Sequence, residues 1–154
     1  MDTVTVLLLW ALLCAVQSGI AWLGGGLSDR FGKTTVVTAT WLGYGVSLLL
    51  IATVQSIAGL WIAVSVYVLL TGMGEGAEKA LVSDLATDAN RGTAFGWYNM
   101  VVGLAAIPAG LLFGAIWSQA TAGTAFAAFG ALAIASSVLL RFPYKIIPTN
   151  GVAP

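Results

Sequence analysis

Three ionisable side chains lie close together in an otherwise uncharged stretch of the sequence: Glu75, Glu78 and Lys79. Positions three and four residues apart share one face of a helix, and a glutamate four residues before a lysine is the favourable order for an ion pair. The chain contains no histidine and a single cysteine, Cys14. This composition excludes histidine-based acid–base catalysis, most metal sites and an intramolecular disulfide. We therefore expect neither a bound metal nor a cofactor.

Charged residues are scarce along the whole chain, since 8% of its 154 residues are charged and 59% are hydrophobic. Soluble domains carry about 25% charged and about 45–50% apolar residues. A chain with so few charges cannot cover a surface that faces water, which excludes a soluble enzyme, a nucleic-acid-binding protein and a disordered tail. The sequence therefore predicts an all-α integral membrane protein, with the lipid bilayer as its immediate partner.

The charges divide the chain into three long uncharged segments, residues 3–28, 34–74 and 92–140. One membrane-spanning helix needs about 20 mostly apolar residues, so the first segment fits one helix and the others fit two each. Polar turns at 55–56 and 117–123 divide the longer segments. The predicted transmembrane domain covers residues 1–145, with spans at about 3–23, 34–54, 57–77, 93–117 and 122–140, and a cytoplasmic tail at 146–154.

All six cations fall on one side of this five-span arrangement: Arg30, Lys33, Lys79, Arg91, Arg141 and Lys145. The opposite side receives the N-terminus and two turns that contain neither lysine nor arginine. The positive-inside rule then places the N-terminus outside and the C-terminus in the cytoplasm. The first span is too long, and lacks the basic residues before it, to be a cleaved signal peptide. We expect a multi-pass protein of the cell (inner or plasma) membrane.

The segment between the first two spans has a defined pattern, Gly25-x-Leu27-Ser28-Asp29-Arg30-x-Gly32-Lys33. Glycine tolerates positive φ, so residues 24–33 are expected to form the turn that joins the two spans. From its residue types alone, this segment is interpreted as a short, basic turn that connects two helices. The pattern also resembles the motif A loop of the major facilitator superfamily (MFS), whose last basic position is occupied here by Thr34.

The second charged segment strengthens this resemblance. This segment contains Glu78-Lys79, Asp84, Asp88 and Arg91-Gly92, and it precedes a helix with Pro108-Ala109-Gly110. The arrangement is similar to the region between the tenth and eleventh helices of the family. The resemblance covers essentially the whole chain and implies part of a six-helix MFS half-bundle. It implies helices eight to twelve of a twelve-helix transporter, with helices two to six as the alternative register.

The resemblance also implies a cytoplasmic gate. In the family, the motif A loop forms a clasp with charges at neighbouring helix ends, so Asp29 and Arg30 would form the clasp here. The candidate partners are Glu75, Glu78, Lys79, Asp84 and Arg91. Glu75 follows Ile57 by about 18 residues and is therefore expected near the membrane interface. This depth favours a structural or gating role for Glu75 over a site that binds solute or a proton.

Four polar side chains within the spans are candidates for lining a cavity: Gln17, Tyr67, Thr71 and Asn99. Tyr67 and Thr71 continue the face of Glu75 at four-residue steps. Gln17 requires a hydrogen-bond partner, either in a cavity or on a neighbouring helix.

The fourth helix carries small residues along one face, at Gly96, Gly103, Gly110 and Gly114. Such a face predicts close helix packing in a membrane. Pro108 is expected to kink this helix, because proline removes one backbone hydrogen bond.

The sequence as a whole predicts a fragment of a secondary transporter, not an enzyme. With the rest of its transporter it would move a small solute by alternating access, and a proton is the candidate coupling ion. The alternative is a standalone five-helix membrane protein that oligomerises or assists assembly. An intramembrane aspartyl protease is disfavoured, because Gly72-x-Gly74-Glu75 carries glutamate where that class needs aspartate.

Overall fold

The computed structural model describes residues 3–140, which form five α-helices. They are α1 (Thr3–Phe31), α2 (Lys33–Thr53), α3 (Ile57–Leu85), α4 (Arg91–Gln119) and α5 (Ala122–Leu139). No strand occurs within this range. Each helix is long and apolar enough to cross a membrane, so the predicted all-α, five-span fold is confirmed. Arg141, Lys145 and the predicted tail lie outside the described residues.

Two helices are longer than the predicted spans at one end of the bundle. α1 remains helical through Gly24 and Gly25 to Phe31, so the prediction of a turn over residues 24–33 is wrong apart from Gly32. Gly32 alone separates α1 from α2, and its φ of 85° is one that side-chain-bearing residues rarely adopt. α3 continues to Leu85, well beyond the expected end of its span near residue 77.

The turns at the opposite end lie where the sequence places them. α2 ends at Thr53, and the Ser56 hydroxyl caps α3 by accepting the N–H of Gly59 at 3.1 Å. In the same way, the Thr121 hydroxyl caps α5 by accepting the N–H of Thr124 at 3.1 Å. Serine and threonine favour this position because their side chains satisfy an otherwise unpaired backbone donor.

α2 and α3 form the centre of the bundle, since α2 packs against α1, α3 and α5, and α3 packs against α1, α2 and α4. α4 and α5 also pack against each other. We call the end of the bundle where α1 and α3 finish and α2 and α4 begin the charged end. Here Val36, Val37 and Ala77 are buried, and Leu27 and Leu81 pack against them. The apolar part of the first charged segment therefore anchors α1 to its two neighbours.

α1 and α3 approach each other through glycines. A Cβ placed on Gly24 would lie 1.9 Å from the carbonyl oxygen of Met73, and one on Gly76 would lie 1.8 Å from that of Ala21. A Cβ on Gly72 would lie 2.7 Å from the carbonyl oxygen of Gln17. Small residues permit such close backbone contact between membrane helices. The crossing therefore requires glycine at these positions.

α4 is the helix that the rest of the chain covers least, since none of its residues is buried. The packing predicted for the small-residue face of α4 is not formed within residues 3–140. A Cβ added at any of the four glycines of this face would meet nothing within 4 Å, and these glycines are Gly96, Gly103, Gly110 and Gly114. Its contact with α5 is aromatic, with Phe113 5.2 Å from Phe126 and 5.3 Å from Phe129 between ring centroids. Pro108 lies inside a continuous helix, and its kink stays a prediction.

We predict that Gly24→Ala destabilises the bundle and that the neighbouring Gly25→Ala does not. Both changes favour the helix by about 1 kcal/mol. The new methyl group at position 24 would overlap the Met73 backbone, and overpacking of this kind costs about 1–3 kcal/mol, whereas the space beside Gly25 is open. Thermal unfolding in detergent, followed by circular dichroism, compares the two variants. Equal unfolding midpoints would contradict the close crossing of α1 and α3.

Candidate functional site

A cavity of about 670 Å³ lies between the helices, and all five of them contribute to its wall. Small-molecule sites in proteins commonly occupy about 300–1,000 Å³. The four side chains predicted to line a cavity all line this one: Gln17, Tyr67, Thr71 and Asn99. Asn99 donates one hydrogen bond, 2.8 Å long, to the carbonyl oxygen of Phe95 in its own helix. Its amide is therefore partly committed to α4.

Glu75 connects α1 to α3 within this cavity. The Gln17 amide donates to Glu75 Oε1 at 2.8 Å, and Lys79 Nζ lies 3.5 Å from Glu75 Oε2. The ion pair expected from the four-residue spacing is therefore formed. Gln17 is expected from the sequence to find its hydrogen-bond partner either in a cavity or on a neighbouring helix. Both hold, because its partner Glu75 belongs to α3 and lines the cavity.

Glu78 joins α2, α3 and α4 through its carboxylate. The Trp41 indole donates to Oε1 at 2.5 Å, and the Tyr98 hydroxyl donates to Oε2 at 2.6 Å. Each oxygen is thus held by a neutral donor. The ion pairs within residues 3–140 are Lys33–Asp84, Lys79–Glu75 and Arg91–Asp88, so in this range Glu78 has no cationic partner.

Sequence reasoning does not single out Trp41 or Tyr98 as site residues. Their polar atoms could have identified these two residues from the sequence, because a buried indole N–H or phenol O–H usually needs a hydrogen-bond acceptor. Within the spans the strongest acceptors are the two glutamates of α3. Which glutamate each donor reaches depends on how the helices cross, and periodicity alone does not contain that information.

α3 continues further past Glu75 than the predicted span, which ends near residue 77. α3 extends ten residues past Glu75 to Leu85, a distance of about 15 Å along the helix. The midpoint of α1 is Gln17 and that of α3 is Thr71, one turn before Glu75. With both helices centred in a hydrocarbon core about 30 Å thick, the Gln17–Glu75 hydrogen bond falls in the membrane interior. An ionisable group at such a depth is a candidate for function, so a gating role for Glu75 and a role in binding solute or a proton both stay predictions.

The charged end is connected differently from the predicted clasp. Lys33 at the start of α2 forms an ion pair with Asp84 near the end of α3. Asp29 and Arg30 are exposed and form no ion pair within residues 3–140. Arg91 pairs locally with Asp88 at 3.2 Å. The Asp29–Arg30 clasp is therefore absent from the described part of the chain, and Lys33 makes the link between helices instead.

Two residues of the same motif, Leu27 and Ser28, pack inside the bundle. Ser28 is buried, and its hydroxyl donates to the carbonyl oxygen of Gly25 at 2.6 Å. Leu27 packs against the apolar cluster of the charged end. Together with the positive φ of Gly32, these contacts hold the end of α1 so that Lys33 faces α3.

A second cavity of about 540 Å³ adjoins the first and is mostly apolar. Cys14, Leu48 and Phe113 are among its lining residues. The two cavities share Gln17, Tyr44, Tyr67 and Phe129. The rings of Tyr44 and Tyr67 lie 5.5 Å apart between centroids, so this tyrosine pair stands between a polar and an apolar compartment.

Comparison with known proteins agrees with this helical arrangement. The sequence profile of the Major Facilitator Superfamily matches residues 3–152, nearly the whole chain. The chain belongs to this superfamily. An uncharacterized MFS-type transporter of Methanocaldococcus jannaschii is 36% identical to it over 118 residues, which cover 77% of this chain and 29% of that protein. This MFS chain therefore matches less than a third of the length of that relative.

We predict that Tyr98→Phe destabilises this MFS chain by about 1.5–3 kcal/mol, because it removes a hydrogen bond to a carboxylate. Tyr44→Phe is the matched control, since Tyr44 lines the same cavity and its contact with Tyr67 is made by the ring. Chemical denaturation of both variants in detergent measures the difference. Equal losses for the two variants would show that the Tyr98 hydroxyl does not hold α4 to α3.

Proposed function

We propose that this chain forms part of an MFS secondary transporter, which moves a small solute across the membrane by alternating access. The observation that carries this proposal is the cavity, because it brings Glu75, Glu78 and Lys79 together among five apolar helices. Groups that bind a polar solute or a proton are expensive in a membrane and are retained for function. We propose a proton as the coupling ion, because the cavity contains two carboxylates, Glu75 and Glu78, that could bind one.

The remainder of the transporter would supply the opposite wall of this cavity. α4 exposes its small-residue face, and the matched relative is more than three times as long as the aligned segment. Both features support a role for the chain as part of a larger bundle, in which we place it as helices eight to twelve. A standalone assembly subunit is the second candidate, without an observation that favours it.

The charged end would be the cytoplasmic gate. Its cations support an N-out, C-in orientation in the cell (inner or plasma) membrane. Lys33 and Asp84 join α2 to α3 there, while Asp29 and Arg30 are exposed and available to a partner that the described residues do not supply. Ion pairs at an exposed helix end contribute about 0–1 kcal/mol each, a range suited to contacts that must open and close.

Solute uptake by proteoliposomes tests the proposal. The complete transporter that contains this chain should accumulate at least one solute from a panel of small polar and charged molecules. An uncoupler that dissipates the proton gradient should abolish the accumulation. The 154-residue chain alone should accumulate none, because in this proposal the opposite wall of the cavity comes from the remainder of the transporter. No uptake of any solute by the complete protein, in either membrane orientation, would refute the transport function and favour the assembly subunit.

We predict that Lys33→Glu reduces transport and that the double change Lys33→Glu with Asp84→Lys restores much of it. The single variant places two carboxylates side by side, whereas the double variant re-forms the ion pair in reverse. Initial uptake rates in proteoliposomes report the effect, with membrane insertion checked by immunoblotting. Asp88→Asn is the control, because Asp88 pairs only with nearby Arg91 in the described range. A double variant as impaired as the single one would contradict the gating role of this pair.

A further inference from the structure

The charges that line the polar cavity do not cancel. Glu75 and Lys79 face each other as an ion pair at 3.5 Å. Glu78 has neutral donors on both oxygens, and Lys79 is the single cation among the residues that line the cavity in the described chain. Hydrogen bonds from an indole and a phenol stabilise a carboxylate without neutralising it. With both glutamates ionised, the wall therefore carries a net charge of −1.

The Glu78 carboxylate is also held in a defined position. Its donors come from α2 and α4, so the carboxylate cannot rotate without breaking a bond to one of these helices. An ionised carboxylate offers about four acceptor sites, and two are occupied by Trp41 and Tyr98. The remaining sites can accept hydrogen bonds from a ligand. A charge held among helices that are apolar enough to span a membrane gains from a counter-charge.

The surroundings of Glu78 suit an organic cation better than a bare metal ion. Aromatic rings line the same cavity, at Trp41, Tyr44, Tyr67 and Tyr98. Aromatic faces attract ammonium-type cations, an effect that increases when water is excluded. Within the described residues no three metal-ligating acids, cysteines or histidines cluster, and the cavity of about 670 Å³ is far larger than an ion. Leu70, Val102 and Leu132 provide apolar wall for the body of a ligand.

From these features we infer that the cavity binds an organic cation, whose positive group pairs with Glu78 and whose apolar or aromatic body lies against the tyrosine and tryptophan rings. This inference rests on the proposed function, because it names the substrate class of the same cavity. Lys79 remains with Glu75 and does not compete for the ligand.

Two ions of equal shape and opposite charge, tetraphenylphosphonium and tetraphenylborate, test the inference on the unaltered protein. Equilibrium dialysis of the complete transporter that contains this chain, solubilised in detergent and with empty micelles as the blank, measures the affinity for each ion. We expect tetraphenylphosphonium to bind at least tenfold more tightly than tetraphenylborate. Equal affinities, tighter binding of the borate, or no binding of the phosphonium above the blank would overturn the inference. This comparison needs no variant and so does not depend on how a variant folds.

Glu78→Gln locates the site. It removes the charge with almost no change of shape, and we expect at least a tenfold loss of tetraphenylphosphonium affinity. Asp88→Asn removes the same charge from the exposed α3–α4 connection and should leave the affinity unchanged. Size-exclusion chromatography confirms that each variant is folded. Unchanged affinity in a folded Glu78→Gln variant, or equal losses in both variants, would refute the assignment to Glu78.

Transport assays separate this inference from the proposed function. Uptake of neutral or anionic solutes that tetraphenylphosphonium does not inhibit would leave the transporter in place and overturn the organic-cation site. Binding of tetraphenylphosphonium at Glu78 in a complete protein that moves no solute would support the site and refute transport. Inhibition of uptake by tetraphenylphosphonium, lost in Glu78→Gln, would support both.

Discussion

The close contact between α1 and α3 determines how Gln17 and Glu75 meet in the cavity. The two backbones meet because Gly24, Gly72 and Gly76 have no side chains to separate them. This contact places Gln17 against Gly72, less than one turn from Glu75, and so brings the amide within 2.8 Å of the carboxylate. A wider separation would remove this partner from the Gln17 amide, and an unsatisfied polar group in a membrane costs several kcal/mol.

α3 serves two sets of neighbours because its polar residues point to different sides. Glu75 turns towards α1, whereas Glu78, three positions later, is reached by Trp41 of α2 and Tyr98 of α4. Within residues 3–140, α4 has no buried residue, and it packs against α3, where Tyr98 makes this bond, and against α5, where Phe113 contacts Phe126 and Phe129. A movement of α4 therefore changes the donors around Glu78 directly. In the proposed site, binding at the carboxylate would be linked to the position of α4 through the Tyr98 hydrogen bond.

Hydropathy and charge spacing predict the five helices, the turns near 55–56 and 117–123 and the Glu75–Lys79 pair, because these depend on local sequence. The error at residues 24–31 arises because glycine has two uses in membrane proteins, as a turn residue and as a packing residue inside helices. Gly24 has the second use, and its partner at Met73 is distant in sequence. Trp41 and Tyr98 are missed for the same reason, since their acceptor is set by interhelical geometry. At the glycines of α4 the opposite error occurs: the sequence predicts a packing face, but residues 3–140 supply no partner for it.

The motif at the charged end divides into residues that hold the structure and residues that are free to exchange partners. Leu27 and Ser28 are fixed by packing and by a hydrogen bond inside α1, and Gly32 makes the reversal into α2. Lys33 is bound to Asp84, yet the Asp84 side chain is 57% exposed, so water competes for this pair. Asp29 and Arg30 lie on the exposed side of the same helix end. Since the apolar contacts keep this end of α1 rigid, a shift of α3 would exchange ion pairs at its surface at small energetic cost. That separation of a rigid interior from weak surface charges is the property a gate in the proposed transporter requires.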